Sequence, residues 1–164
     1  MRVFNRFKQR LIQKGVTFLL GHSVSKAILK GNRCEGIEIL HPPVVNSYSA
    51  DRHILATGRF IGGGLTADRK KISEALFGLP VVQPASRQDW FQKTFFSDQS
   101  HIIHRSGVLI DASFRPLNDR GERLFENVWV AGTILAHANC IAEKSREGIE
   151  IATGYSAARI AFGT

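Results

Sequence analysis

Two short runs of branched and aromatic residues constrain this chain more than anything else in it: Ile54-Leu55-Ala56-Thr57-Gly58 and Val128-Trp129-Val130-Ala131-Gly132. Each reads as a buried strand that ends in a turn of small residues. Apolar side chains at successive strand positions need cover on both faces, which is the condition of strands in parallel sheets. In open α/β sheets ligands sit beyond the carboxyl ends of such strands, and glycine there lets a backbone approach a ligand closely. The pattern excludes an all-helical protein and directs attention to the residues just past each strand.

The rest of the chain supplies elements for an α/β domain. Val3, Phe4, Phe7, Leu11 and Ile12 recur at helical spacing over 2–14, with Arg2, Arg6, Lys8, Arg10 and Lys14 on the other faces, and Gly15 stops the helix. Val16–Leu20 reads as a buried strand, which after a helix and a glycine makes half of a parallel βαβ unit. Ser23–Leu29 and Cys34–Leu40 read as a hairpin about Lys30-Gly31-Asn32-Arg33, and Tyr48–Ala56 as a returning strand. Thr66 is placed to cap a helix over Ala67–Phe77, closed by Gly78 and Pro80. Ser86 and Asp89 suggest the start of a second helix carrying Trp90, Phe91 and Phe95, and these rings with Phe96 read as core of the inserted segment rather than as a ligand cage. The stretch 97–106 has no clear pattern. Gly107–Asp111 reads as a strand, and a long helix closes the chain from about Ala142 to Phe162.

Several function classes are excluded. The net charge is +8, from 22 Lys and Arg against 14 Asp and Glu. The cations are dispersed and aromatic residues do not interleave with them as a stacking platform requires, so nucleic acid is not an expected partner. No apolar run approaches the roughly 20 residues of a membrane span, and Cys34 and Cys140 are too few for a disulfide framework, which suits a reducing cytoplasm. His101 and His104 have no cysteine or carboxylate cluster beside them, so no metal is expected, and no catalytic triad can be read from the scattered histidines. Cys140 and Asn139 lie close to the second small-residue turn; an inert thiol and a turn residue are the plain readings, with a ligand contact from Asn139 as the alternative.

Taken in order, these segments resemble flavoproteins of the FAD/NAD(P)-binding fold. The resemblance is carried by Ala50-Asp51-Arg52-His53-Ile54-Leu55-Ala56-Thr57-Gly58, by Gly107-Val108-Leu109-Ile110-Asp111, by Asn127 through Gly132, and by the closing helix with Gly148. Ala131-Gly132-Thr133-Ile134-Leu135, Ala142-Glu143 and the Gly62-Gly63-Gly64-Leu65 run are similar to the family formed by the B subunit of anaerobic glycerol-3-phosphate dehydrogenase. The similarity extends over nearly the whole chain but covers only the C-terminal part of the family pattern. No G-x-G-x-x-G occurs in the 164 residues; Thr133 stands where related flavoproteins often carry an acid, and Arg59 follows Thr57-Gly58 in place of glycine.

The resemblance implies a partial, Rossmann-like, three-layer FAD/NAD(P)-binding domain with a β-hairpin, built from 1–65 and 107–164, and a small inserted helical lobe on the substrate side over 66–106. It implies a flavin cofactor, FAD or FMN, with Ala56, Thr57, Gly58, Ala131, Gly132, Thr133 and Gly148 around it; it fixes no catalytic residue, and it leaves a phosphate-facing role for His104 or Arg105 as the alternative to a plain surface or loop role. The implied reaction is oxidation of sn-glycerol 3-phosphate to dihydroxyacetone phosphate, with electrons passing through a catalytic flavin subunit and an iron–sulfur membrane-anchor subunit to quinone. The expected location is the cytoplasm, peripheral at the inner face of the membrane through those partners. Two further readings stay open: a non-catalytic structural or electron-transfer module without its own cofactor, and a flavin oxidoreductase of the fumarate-reductase type. Without the pyrophosphate-binding segment, this chain alone is expected to hold flavin weakly or not at all, and to self-associate as a homo-oligomer through uncovered apolar faces.

Overall fold

The two apolar runs lie side by side as strands of one parallel pair. In the computed structural model, which describes residues 2–96 and 100–163, β4 (His53–Leu55) and β9 (Val128–Val130) pair in parallel, with His53 opposite Val128 and Leu55 opposite Val130. Val128 and Val130 have no exposed surface and Leu55 almost none, as runs covered on both faces require. Around this pair the chain is mixed α/β: four small sheets and two α-helices among the described residues.

α1 (Arg2–Gln13) follows the helical periodicity and ends at Gly15, whose φ of 86° is left-handed. Val16–Leu20 is not the expected strand. No strand among the described residues lies beside it to satisfy its backbone, and Val16 and Leu20 are exposed. β1 (Ser23–Lys30) and β2 (Arg33–His41) form the hairpin about Gly31 and Asn32. A third strand, β3 (Val44–Ser49), pairs antiparallel with β2 after the cis Pro42–Pro43 bond. The expected single strand over Tyr48–Ala56 is therefore two strands in different sheets, broken at 50–52.

Asn127 joins the three-stranded sheet to the parallel pair. Its buried side chain accepts from Cys34 N–H at 2.9 Å and donates to Cys34 O at 2.7 Å and Asp51 O at 3.0 Å. Beside it Glu126 N–H donates to Asn32 O at 2.9 Å, and Asn32 Nδ2 donates to Glu126 Oε1 at 2.8 Å.

The helices expected within 66–106 do not form. Leu65–Ala67 (β5) and Ile72–Glu74 (β6) make an antiparallel hairpin instead. Side chains that bind nearby backbone override the helical spacing. Asp68 Oδ1 accepts from the N–H groups of Lys70 and Lys71 at 2.6 and 2.8 Å, which closes the turn. The buried Glu74 carboxylate accepts from the N–H groups of Leu76, Phe77 and Leu79 and winds the chain around itself. Val81–Val82 (β7) pairs antiparallel with Gly107–Val108 (β8). Ser86 does act as a cap, accepting from Gln88 N–H at 3.2 Å, but the product is a single 3-10 turn over Arg87–Asp89. Of the unassigned stretch 97–106, 97–99 lie outside the described residues, and Ile102–Arg105 is another 3-10 turn. The inserted lobe is thus made of short strands and turns. Its Ile72, Trp90 and Ile103 share one buried cluster with Leu55, Leu65, Val108, Val128 and Val130, whereas Phe91, Phe95 and Phe96 are exposed and not core, because no helix forms to turn them inward.

α2 (Arg146–Phe162) lies on the other side of β9. Ala157 and Ala161 are buried against Trp129 and Ala131, where small side chains permit close approach, and Gly163 at φ 70° ends the helix. Between β8 and β9 the chain turns about Asp111, whose Oδ1 accepts from Ser113 and Arg115 N–H at 2.8 and 2.9 Å and whose Oδ2 accepts from Arg123 Nε at 2.6 Å. Partial burial would raise its pKa, but the Arg115 N–H, the Arg123 guanidinium and the Ser113 N–H outweigh that and hold it below the ordinary 3.8. Asp111→Ala is expected to cost about 2 kcal/mol of unfolding free energy near pH 7. The wild-type advantage is present above the unfolded pKa and disappears as pH falls through the lower folded one, which denaturant titrations at neutral pH and at about pH 2 would show.

Candidate functional site

Because β4 and β9 are parallel, both small-residue turns emerge at one edge. Ala131 N–H donates to Leu55 O at 3.0 Å, carrying the pairing one step past the strands. The chains then leave through Gly58 (φ 69°) and Gly132 (φ 82°), left-handed positions that side chains rarely tolerate. A Cβ on Gly58 would lie 3.6 Å from Thr133 Oγ1, so the turns stand side by side. Gly132 N–H donates to Thr153 Oγ1 at 2.8 Å, and that hydroxyl donates to Ile149 O at 2.6 Å, which fixes the second turn to the first half of α2.

A cleft of about 750 Å³ opens at this edge, within the range of small-molecule sites. Ala56, Thr57, Gly58, Ala131, Gly132 and Thr133 all line it, so the structure brings together six of the seven residues singled out from sequence. Gly148 stands apart, exposed in the first turn of α2 against Ser145. Asn139 is turned away: its Nδ2 donates to Ser100 Oγ at 2.5 Å and its Oδ1 accepts from Ala142 N–H. Cys140 lines the cleft as a free, half-buried thiol, and among the described residues no group of three or more His, Cys, Asp or Glu could hold a metal.

The cleft also gathers side chains that the sequence reading did not place around the cofactor. The Arg59 guanidinium crosses its wall. His104 faces it with a pKa held below the ordinary 6.5 by burial and by the neighbouring His101 and Arg59, so the ring is neutral at physiological pH. At the mouth Arg146 pairs with Glu150 at 3.0 Å. Thr57 Oγ1 is buried with no hydrogen-bond partner among the described residues. Thr57 lines both the cleft and a smaller cavity of about 340 Å³ beside Gly62, Gly63 and Gly64. An orphaned buried hydroxyl on a residue shared by two glycine-lined spaces suits a ligand that is flat, polar at its edge and approached by backbone. A flavin ring has those properties.

A family model described as FAD binding domain matches residues 20–145. The chain belongs to that FAD-binding family. The match takes in β1 through β9 and both turns of the cleft. Among curated proteins, the chain is similar to the B subunit of the probable anaerobic glycerol-3-phosphate dehydrogenase of Halobacterium salinarum, 38% identical over 109 residues, which are 66% of this chain and 25% of that one. The corresponding B subunit of Aliivibrio fischeri is 37% identical over 109 residues, 66% of this chain and 24% of its own length. That of Vibrio cholerae is 30% identical over 159 residues, 96% of this chain and 35% of its own. The chain thus spans about a quarter to a third of the relatives it matches. No solved structure matches it. Among the described residues no helix is long and apolar enough to cross a membrane.

Proposed function

We propose that this FAD-binding chain forms the flavin-ring side of a glycerol-3-phosphate dehydrogenase subunit, within a Rossmann-like three-layer domain into which 66–106 is inserted on the substrate side. The observation that carries the reading is the meeting of the Thr57-Gly58 and Gly132-Thr133 turns at one cleft with the unpartnered Thr57 hydroxyl. FAD or FMN, when bound, would supply the hydride acceptor for oxidation of sn-glycerol 3-phosphate. The chain's own residues do the rest. The backbones at Gly58 and Gly132 leave room for close approach, and Thr57 Oγ1 donates to the ring edge. The neutral His104 ring can take up a proton from a substrate hydroxyl at a ring nitrogen. Electrons pass on through a catalytic flavin subunit and an iron–sulfur subunit, at the cytoplasmic face of the membrane.

A second reading, a module that works only when docked in such a complex, is favoured by the bare face of α1, where Val3, Phe4 and Phe7 are each more than 60% exposed. FAD titration followed by the visible spectrum tests both. No G-x-G-x-x-G occurs here to cradle the pyrophosphate, and each charge-assisted hydrogen bond so missed is worth roughly 1.5–3 kcal/mol. The expected affinity of the chain alone is therefore micromolar or weaker, with a shifted flavin spectrum and perturbed Gly58 and Gly132 amide resonances at saturation. No spectral change at any concentration supports the docked module. Turnover with glycerol 3-phosphate against succinate in the assembled enzyme separates the proposed reaction from fumarate-reductase chemistry.

A further inference from the structure

Arg59 satisfies backbone and has no carboxylate partner among the described residues. Its Nε donates to Thr133 O at 2.5 Å, its Nη2 to Leu135 O at 3.2 Å and Ala138 O at 2.7 Å, and its Nη1 to His104 O. Four of the five guanidinium N–H donors are thereby taken by carbonyls of the loop after β9 and of the 102–105 turn, which fixes two walls of the cleft. Carbonyl dipoles satisfy hydrogen bonds without cancelling a unit charge. The ion pairs among the described residues are Lys30–Glu35, Asp111–Arg123 and Arg146–Glu150, and none includes Arg59. Of the ionic groups that line the cleft, Arg146 and Glu150 offset one another. The Cys140 thiol is the other titratable group near both arginines, so Arg59 is left as the cation of the cleft with no carboxylate against it among the described residues.

We propose that the cleft is an anion-selecting site, and that a phosphoryl group of its ligand is held against Arg59. The inference rests on the reading of this cleft as the ligand site. The phosphoryl group can belong to a nucleotide cofactor or to a small phosphorylated substrate; both present the same oxygens to the guanidinium.

The test uses inorganic phosphate as probe, on the wild-type chain labelled for side-chain NMR. Phosphate is expected to shift the Arg59 Nε–H signal together with the Gly58 and Gly132 amides. Arg59→Met is expected to weaken phosphate binding at least about tenfold, the loss that one charge-assisted hydrogen bond predicts. Arg59→Lys keeps the charge but loses the fork, so it should melt lower yet retain most of the phosphate affinity. Competition by ADP would assign the phosphoryl group to a cofactor, and competition by glycerol 3-phosphate to a substrate. Competition by uncharged glycerol as strong as by glycerol 3-phosphate overturns the proposal. So does an unmoved Arg59 signal in the wild type, a measurement that stands even if the methionine variant fails to fold. A lysine variant that keeps its fold but loses phosphate binding overturns it too. If FAD leaves the cleft resonances untouched while phosphate moves Arg59, the flavin reading fails and the anion site stands; the reverse result sinks the anion site alone.

Discussion

Replacing Asn127 by alanine is expected to lower the unfolding free energy by about 3 kcal/mol, the sum of leaving buried polar groups without partners. Cys34 is fully buried, and both its N–H and its carbonyl are bound by the Asn127 amide, which also holds Asp51 O. Water cannot take the place of those bonds without opening the contact between the three-stranded sheet and the parallel pair. Asn127→Asp should be equally damaging at neutral pH, because a carboxylate turns lone pairs toward the carbonyls of Cys34 and Asp51. Protonating that carboxyl returns one donor, so the aspartate variant should recover part of the loss in mild acid while the alanine variant does not. Urea denaturation of the three proteins at two pH values checks both statements. Equal stability of wild type and the alanine variant would remove Asn127 from this role.

Gly107→Val is expected to cost at least as much, about 3 kcal/mol, through overpacking against backbone that cannot yield cheaply. A Cβ on Gly107 would sit 2.6 Å from the Leu135 carbonyl carbon, 2.7 Å from Ala136 N and closer still to Ile134 O. Here the glycine is needed for space, since β8 passes directly under the loop after Gly132. The effect should therefore reach the cleft. Displacing Leu135 and its neighbours moves carbonyls that Arg59 binds, so the variant should lose the phosphate response of the Arg59 signal along with stability. A variant as stable as wild type by thermal melting, or one that loses stability but keeps that response in full, would show that the loop is not coupled to Gly107 in this way.

The residues that could be read from sequence are those whose reasons are local. Val128-Trp129-Val130 announces a doubly covered strand, Gly31-Asn32 a hairpin turn, and Ala131-Gly132 a small-residue strand end, because each depends on neighbours within a few positions. The helix expected over Ala67–Phe77 failed because Asp68 and Glu74 bind nearby N–H groups, and those side-chain bonds compete directly with helical ones. Arg59 could be seen only as an oddity after Thr57-Gly58. Its four acceptors lie between 45 and 79 residues away, and no spacing rule reaches that far. Thr153 was hidden for a similar reason: on a helix its hydroxyl looks like one that bonds its own preceding turn, which it does, and nothing nearby tells of Gly132.

The uncovered face of α1 has a meaning outside equilibrium stability. Phe4 and Phe7 stand in water on a helix that carries no acidic residue. Surface of that kind is what cellular quality control reads: chaperones bind it and proteases degrade the captured chain. A chain with such a helix bare is expected to be cleared from a cell faster than its core stability alone would dictate, and anything that covers the helix should lengthen its lifetime.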